Sequence, residues 1–151
     1  MKAGDMNENQ TLLLVDDGES DRYLMRAAFK KAGFDIPLHE LHNGEEAIAY
    51  LKGTGPYGDR DRFPLPTLML TDLNMPMKSG FDVVAWLRGE PKLKRLPVVV
   101  LTASMRPEDV ERAYDLGVNA FFVKPGTLDA LTAMVRCLQS WMQINRFASL
   151  E

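Results

Sequence analysis

The chain has 151 residues, of which 46% are hydrophobic and 26% are charged, a balance typical of one globular domain with a core of normal size. The formal net charge of −3 gives no reason to expect binding to nucleic acid. No apolar run approaches the ~20 residues of a membrane-spanning helix, and residues 1–10 lack the apolar core of a signal peptide. We therefore expect a cytoplasmic protein that does not insert into a membrane.

Cys137 is the only cysteine of the chain. An intrachain disulfide and a cysteine-based zinc site are therefore excluded. The helical pattern around Cys137 places it on the inward side of the last helix, where we expect it to pack in the core.

Short apolar runs alternate with helical patterns along the whole chain. Residues 1–10 are polar and are expected to form a flexible leader. The apolar runs predict five strands, at residues 12–15, 36–41, 68–70, 96–101 and 120–123. Helical spacing predicts a helix after each strand, at residues 20–32, from Asn43 onward, at 79–88, from Pro107 to Gly117, and at 128–142.

Several residues indicate where these helices begin, end and pack. Asn43 is an N-cap residue, and Glu46 three positions later is expected to complete a capping box. Gly33 is placed to end the first helix. The last helix carries one apolar stripe, made of Leu128, Leu131, Val135, Leu138 and Met142.

Five strand–helix units in succession predict a parallel sheet with helices on both faces. The fold class that we expect is α/β, a flavodoxin-like doubly wound (βα)5 arrangement with strand order 2-1-3-4-5. One domain would then cover residues 11–147, followed by a tail at 148–151 and no output domain.

Residues 53–66 are rich in glycine and proline, which predicts a loop longer than most connections in compact domains. The loop is either a tolerated surface insertion or a contact for a partner, with Tyr57 and Phe63 as its anchors.

Polar residues follow four of the predicted strands directly, where these strands end. Asp16 and Asp17 follow the first strand, and Asp72, Thr102 and Lys124 follow the third, fourth and fifth strands. In open α/β sheets the carboxyl ends of the strands are where ligands bind. We therefore expect these five side chains to form one site, although each alone has an ordinary structural explanation such as a helix cap.

The chemistry of this set favours phosphoryl transfer. Three carboxylates at short range need a counter-charge, and oxygen ligands suit Mg²⁺, which also accepts phosphate oxygens. Lys124 adds a fixed cation and Thr102 a hydroxyl group, and phosphoryl transfer depends mainly on positioning and charge neutralisation. Since no better nucleophile lies at this edge, a carboxylate is the expected phosphoryl acceptor.

Four motifs resemble the receiver domains of two-component response regulators, and the resemblance covers residues 11–142. They are Leu-Leu-Val-Asp16-Asp17, Thr-Asp72-Leu-Asn74-Met-Pro76-x-x-x-Gly80, Val-Val-Leu-Thr102-Ala103 and Phe121-Phe-Val-Lys124-Pro125. The resemblance implies a single-domain phosphoprotein that accepts a phosphoryl group from a histidine kinase or a histidine phosphotransfer protein in a phosphorelay. It also implies that the protein is not an enzyme that turns over a substrate, and that it only assists its own phosphorylation and dephosphorylation.

The resemblance also implies a role for each matched residue. Asp72 would be the phosphoacceptor, assisted by Thr102 and Lys124. Mg²⁺ would be held by Asp16, directly or through a water molecule, by Asp17 and Asp72, and by the backbone carbonyl of Asn74. Thr102 and the aromatic Phe121 would act as the switch.

The long loop before Asp72 and the stretch from Leu93 to Asn119 look similar to short regulators that partner phytochrome-like histidine kinases. This similarity implies such a kinase as a partner, a downstream protein partner, and a homodimer through the last two helices. The output face would be residues 107–142, with Arg106, Arg112, Tyr114 and Phe122 changing exposure, although core packing is the alternative for Phe122. Gly18 and Gly126 depart from the family pattern beside the site.

Two other functions remain open at this point. A receiver-like scaffold would bind partners without phosphorylation, but it would need neither the acids nor Lys124. An aspartyl-phosphate phosphohydrolase would need a second acid two residues after the nucleophile, where this chain has Asn74.

Overall fold

Strands and helices alternate in the computed structural model, which describes residues 9–150. Within that range the elements are β1 (Leu12–Val15), α1 (Glu19–Ala32), β2 (Leu38–Leu41), α2 (Gly44–Lys52), β3 (Leu68–Thr71), α3 (Gly80–Arg88), β4 (Val98–Thr102), α4 (Pro107–Leu116), β5 (Ala120–Val123) and α5 (Leu128–Ile144). Residues 1–8 of the expected leader lie outside the described range. Strands β2 and β4 begin two residues later than predicted, each directly after a proline, which has no N–H to donate to the sheet.

The five strands form one parallel sheet in the order β2-β1-β3-β4-β5, which confirms the predicted fold. Val15, the last residue of β1, pairs with Leu41 on one side and with Thr71 on the other. Thr102 at the end of β4 pairs with Val123 at the end of β5. The strands therefore end together at one edge of the sheet.

Alternate side chains of β1 point into two separate cores, the first on the side of α2, α3 and α4 and the second on the side of α1 and α5. Leu13 and Val15 pack on the side covered by α2, α3 and α4, where Ala47, Val83, Leu87 and Ala113 are buried. Leu12 and Leu14 pack on the other side, which α1 and α5 cover with Ala28, Phe29, Val135 and Leu138. Each such leucine contributes about 1.5–3 kcal/mol when fully buried. The register of an apolar strand between two helical layers is therefore strongly specified, because a shift of one residue would move every side chain to the opposite face.

The helix ends follow the predicted signals, with one correction. Gly33 and Gly117 end α1 and α4 in the left-handed conformation, at φ 71° and 102°, which glycine adopts without strain. The Asn43 side chain caps α2 by accepting from the Glu46 N–H. The predicted capping box is incomplete, because the Glu46 carboxylate accepts from the N–H of His42 rather than that of Asn43.

The buried stripe of α5 is confirmed for Leu131, Val135, Leu138 and Met142. Leu128 at the first position is exposed, and Cys137 is exposed as well, so the prediction that it packs in the core is wrong. Cys137 directly precedes the buried Leu138, and one residue in a helix is a rotation of about 100°, which turns its thiol toward solvent.

The loop at residues 53–66 folds back onto α2 and includes a short 3-10 turn, Gly55–Tyr57. Phe63 packs edge-on against Tyr57 and against the fully buried Tyr50, and the Tyr57 ring is tilted against Tyr50. Arg60 donates to the backbone carbonyls of Tyr50, Leu51 and Phe63. The two aromatic residues are thus intramolecular anchors that stay partly exposed, and a contact of this loop with a partner remains an open alternative.

Residues 145–150 follow α5 as a C-terminal tail, which begins before the predicted boundary at residue 148 and connects the two cores. Phe147 packs edge-on against Trp141 of α5, beside the second core. Leu150 packs against the first core on the opposite face of the sheet. The tail therefore crosses from one helical layer to the other.

Candidate functional site

The predicted site residues lie together at the carboxyl edge of the sheet. Asp16 follows β1 and is 3% exposed, Asp72 follows β3 and is 9% exposed, and Thr102 ends β4 at 1%. Lys124 follows β5, and its backbone N–H donates to the carbonyl of Thr102 at 2.8 Å. Strand register alone brings these four together, because neighbouring strands lie only about 4.8 Å apart.

Three of the carboxylates converge. Oxygen atoms of Asp16, Asp17 and Asp72 all lie within 4.8 Å of one another. Asp16 and Asp72 are buried, while Asp17 is exposed at the mouth of the site. Such a group concentrates negative charge where solvent can enter.

Lys124 is the cation that balances these acids. Its Nζ donates to Asp16 Oδ2 at 2.7 Å, to Asp21 Oδ2 at 2.9 Å and to Asp72 Oδ2 at 3.1 Å. Burial acts to lower the pKa of the Lys124 ammonium, but the hydrogen bonds with Asp16 and Asp21 and the charge of Asp72 raise that pKa above its usual value. Burial raises the pKa of the Asp16 carboxyl, against the effect of its bond with Lys124. Lys124 is therefore a fixed positive charge.

Backbone groups hold the two buried acids in place. Asp72 Oδ1 accepts from the Leu73 N–H at 2.7 Å, which leaves Oδ2 directed at Lys124. Asp16 Oδ1 accepts from the Gly18 N–H at 2.9 Å. Arg22 Nη1 donates to the Asp16 carbonyl at 2.7 Å and so ties α1 to the end of β1.

The loop after β3 is tightly packed beneath Asp72. A Cβ added to Gly80 would lie 2.2 Å from the Asp72 carbonyl oxygen, and one added to Gly44 would lie 2.3 Å from that of Lys78. Met77 has a φ of 71° within a turn in which the Lys78 N–H donates to the Pro76 carbonyl at 2.9 Å. A non-glycine residue in this conformation is strained.

Thr102 is joined to α4 by a short chain of hydrogen bonds. Its Oγ1 accepts from the Ser104 N–H at 3.4 Å, and the Ser104 hydroxyl donates to Asp109 Oδ2 at 2.6 Å. Phe121 is partly buried against the first core, and Phe122 packs against the second. A displacement of Thr102 would therefore act on the first turn of α4.

Residues 12–136 match the family of response regulator receiver domains. The chain belongs to this family. The receiver domain is 38% identical to the response regulator Rcp1 of Synechocystis over 142 residues, which are 93% of this chain and 95% of Rcp1. Within residues 9–150, no helix is long and apolar enough to cross a membrane.

Two solved structures show the same fold over nearly the whole chain. The phosphorylated cyanobacterial phytochrome response regulator RcpA is 33% identical, with a TM-score of 0.84, and the match covers 93% of this chain and 99% of RcpA. The Mn²⁺-bound form of Rcp1 is 37% identical, with a TM-score of 0.81, and the match covers the same shares of the two chains. This receiver domain thus resembles regulators of phytochrome systems.

The donor set of the receiver domain fits a divalent cation. Carboxylate oxygens from Asp16, Asp17 and Asp72 are the hard ligands that Mg²⁺ and Mn²⁺ accept, and they lie close enough to share one ion. Lys124 contacts two of the three, so the trio is only partly neutralised without a metal.

Sequence reasoning missed Asp21 and the link between Ser104 and Asp109. Asp21 lies in the first turn of α1, close in sequence to Asp16 and Asp17, but only the folded chain brings it to Lys124. Ser104 directly follows the Thr102-Ala103 motif, but only the folded loop shows that its hydroxyl reaches α4.

Proposed function

We propose that this receiver domain is a response regulator that accepts a phosphoryl group on Asp72 from a phosphohistidine, in the presence of Mg²⁺, and signals through a change of its surface. The observation that carries the proposal is the contact of Lys124 with both Asp16 and Asp72, beside three converging carboxylates. Family membership supports it independently.

In the transfer, a carboxylate oxygen of Asp72 bonds to phosphorus while the N–P bond of the phosphohistidine breaks, and its electron pair returns to the imidazole nitrogen. Lys124 binds a phosphoryl oxygen and neutralises part of its charge. Bound by Asp16, Asp17, Asp72 and the Asn74 carbonyl, Mg²⁺ would supply a divalent charge toward the phosphoryl oxygens. No turnover of free phosphate esters is expected, because Asn74 cannot act as a general acid.

The output side of the proposal concerns Thr102 and Phe121. Once Asp72 carries the phosphoryl group, the buried Thr102 hydroxyl turns toward it and pulls on the Ser104–Asp109 link. Phe121 then moves inward, and the surface at residues 107–142 changes. Arg106, Arg112 and Tyr114 are all exposed already, and Arg112 also lies over the Phe81 ring at 4.0 Å, so a loss of that contact would alter the face.

For the partners, we infer a histidine kinase of the phytochrome type or a histidine phosphotransfer protein. The support is the similarity to Rcp1 and to the phytochrome regulator RcpA. A downstream protein partner, a homodimer, a cytoplasmic location and the domain limits at residues 11 and 147 remain predictions.

The test is the intact mass after incubation with Mg²⁺ and acetyl phosphate. We expect a gain of one phosphoryl group (about 80 Da, the mass that phosphorylation adds) for the wild type and none for Asp72→Asn. Asp35→Asn, an exposed aspartate in the connection between α1 and β2, is the matched control and should gain the mass normally. No adduct on the wild type in rapidly quenched samples would reject the proposal in favour of a phosphorylation-independent scaffold.

A further inference from the structure

Asp21 contacts the lysine of the site without belonging to the carboxylate trio. Its Oδ2 lies 2.9 Å from Lys124 Nζ, closer than the Oδ2 of Asp72 at 3.1 Å. The three carboxylates that converge within 4.8 Å are Asp16, Asp17 and Asp72. The bond with Lys124 is therefore the contact that links Asp21 to the site.

The protons of Lys124 are fully used in this arrangement. An ammonium group has three donors, and Asp16, Asp21 and Asp72 supply three carboxylate oxygens within 3.1 Å. A phosphoryl oxygen at Asp72 must therefore take one of these donors. Of the two partners other than Asp72 itself, Asp21 is the more easily given up, because its side chain is 46% exposed and water can replace the bond, whereas that of Asp16 is only 4% exposed.

Gly18 provides the space that Asp21 needs. A Cβ at Gly18 would lie 3.1 Å from Asp21 Oδ2 and 3.4 Å from Asp16 Oδ1. The first distance is tighter than an ordinary contact, so a side chain at position 18 would shift the Asp21 carboxylate by a few tenths of an ångström. Gly18, one of the two departures from the family pattern, is thus spatially linked to Asp21.

We infer that Asp21 is a positioning residue for Lys124. Asp21 and Asp72 share the positive charge of Lys124, so Asp21 raises the affinity of the site for a divalent cation and lowers its affinity for a phosphoryl group. With Asp21 ionised, part of the Lys124 charge is neutralised, and the three carboxylates attract a divalent cation more strongly. The same carboxylate competes with a phosphoryl oxygen for Lys124 and repels it. This inference rests on the proposed function.

The experiment measures two affinities of the full chain. Mg²⁺ affinity is measured by calorimetric titration, and affinity for beryllofluoride, a phosphoryl analogue, is measured at saturating Mg²⁺. For Asp21→Asn we expect Mg²⁺ binding to weaken and beryllofluoride binding to tighten, each by roughly twofold to fivefold, which is the range of partly exposed charge interactions. Gly18→Ala should change both affinities in the same directions by less.

Glu19→Gln is the matched control, since Glu19 is an exposed acid in the same first turn of α1 and is not among the acceptors of Lys124. It should leave both affinities within about 1.5-fold, because long-range effects of exposed charges are screened. The inference would be overturned if the affinities of Asp21→Asn equalled those of Glu19→Gln. It would also be overturned if both affinities of Asp21→Asn changed in the same direction, because a loss of structure weakens the binding of both ligands. A wild-type chain that forms no phosphoryl adduct on Asp72 would instead reject the proposed function itself.

Discussion

At the scale of single residues, Gly80 shows how an absent side chain positions the phosphoacceptor. The first residue of α3 lies directly against the backbone of Asp72, so close that a Cβ would be 2.2 Å from the Asp72 carbonyl oxygen and 3.0 Å from the Leu73 Cα. Both neighbours are backbone atoms, which cannot rotate away. The start of α3 is therefore packed against the residue that carries the chemistry.

We expect Gly80→Ala to lower the free energy of unfolding by about 1–3 kcal/mol, the usual range for overpacking in a well-packed region, and to slow phosphorylation by moving Asp72. Gly58→Ala in the 53–66 loop is the control, because an added Cβ there would meet its nearest atom at 3.7 Å, an ordinary contact, and surface changes of this kind stay within about 0.5 kcal/mol. Urea unfolding and intact mass against time measure the two effects. Equal behaviour of the two variants would contradict this account of the packing.

At the scale of elements, α2 depends on the long loop that follows it. The carbonyls of Tyr50 and Leu51 in the last turn of α2 accept from the Arg60 guanidinium at 2.8 and 2.9 Å. The last carbonyls of a helix lack partners within the helix, and a cation at this end also interacts favourably with the helix dipole. The loop thus caps α2, whose Gly44 end lies against the loop that follows Asp72.

Arg60→Ala should lower the free energy of unfolding by about 1–3 kcal/mol, since hydrogen bonds from a charged group to partly buried carbonyls are lost. Arg62→Ala in the same loop should cost less than about 1 kcal/mol, because its exposed guanidinium only lies over the Phe63 ring, and exposed cation–π contacts are weak. Thermal unfolding of both variants provides the comparison. A loop that merely tolerates substitution would show no difference between them.

At the scale of the whole molecule, the tail joins two cores that the sheet separates. Phe147 packs on the α1/α5 side and Leu150 on the α2/α3 side. Contacts in separate cores with no shared partner contribute independently to stability.

We therefore predict that Phe147→Ala and Leu150→Ala each destabilise the protein, by about 1–2 kcal/mol because both are only partly buried, and that the double variant shows their sum within about 0.5 kcal/mol. Arg146→Ala, an exposed neighbour, serves as control and should have no measurable effect. Urea denaturation measures the free energy of unfolding of all four variants. A double variant no less stable than either single one would show that the tail acts as one unit instead.

The pattern of apolar runs by itself determined the sheet and most of the site. Once five strands form one parallel sheet, their carboxyl ends lie at one edge, and Asp16, Asp72, Thr102 and Lys124 follow as neighbours. Local signals such as Asn43 and Gly117 determined the helix ends, because capping depends on residues close in sequence.

Only the tertiary structure decided which long side chains reach across elements. The bond between Asp21 and Lys124 joins residues 103 positions apart, and the Arg60 bonds depend on how a glycine-rich loop folds back. The sequence pattern predicts the wrong face for Cys137, because a rotation of one residue along the helix separates a buried position from an exposed one. The physical reason is that backbone periodicity and caps are local, while rotamers and loop paths are selected by the partners that the folded chain brings near.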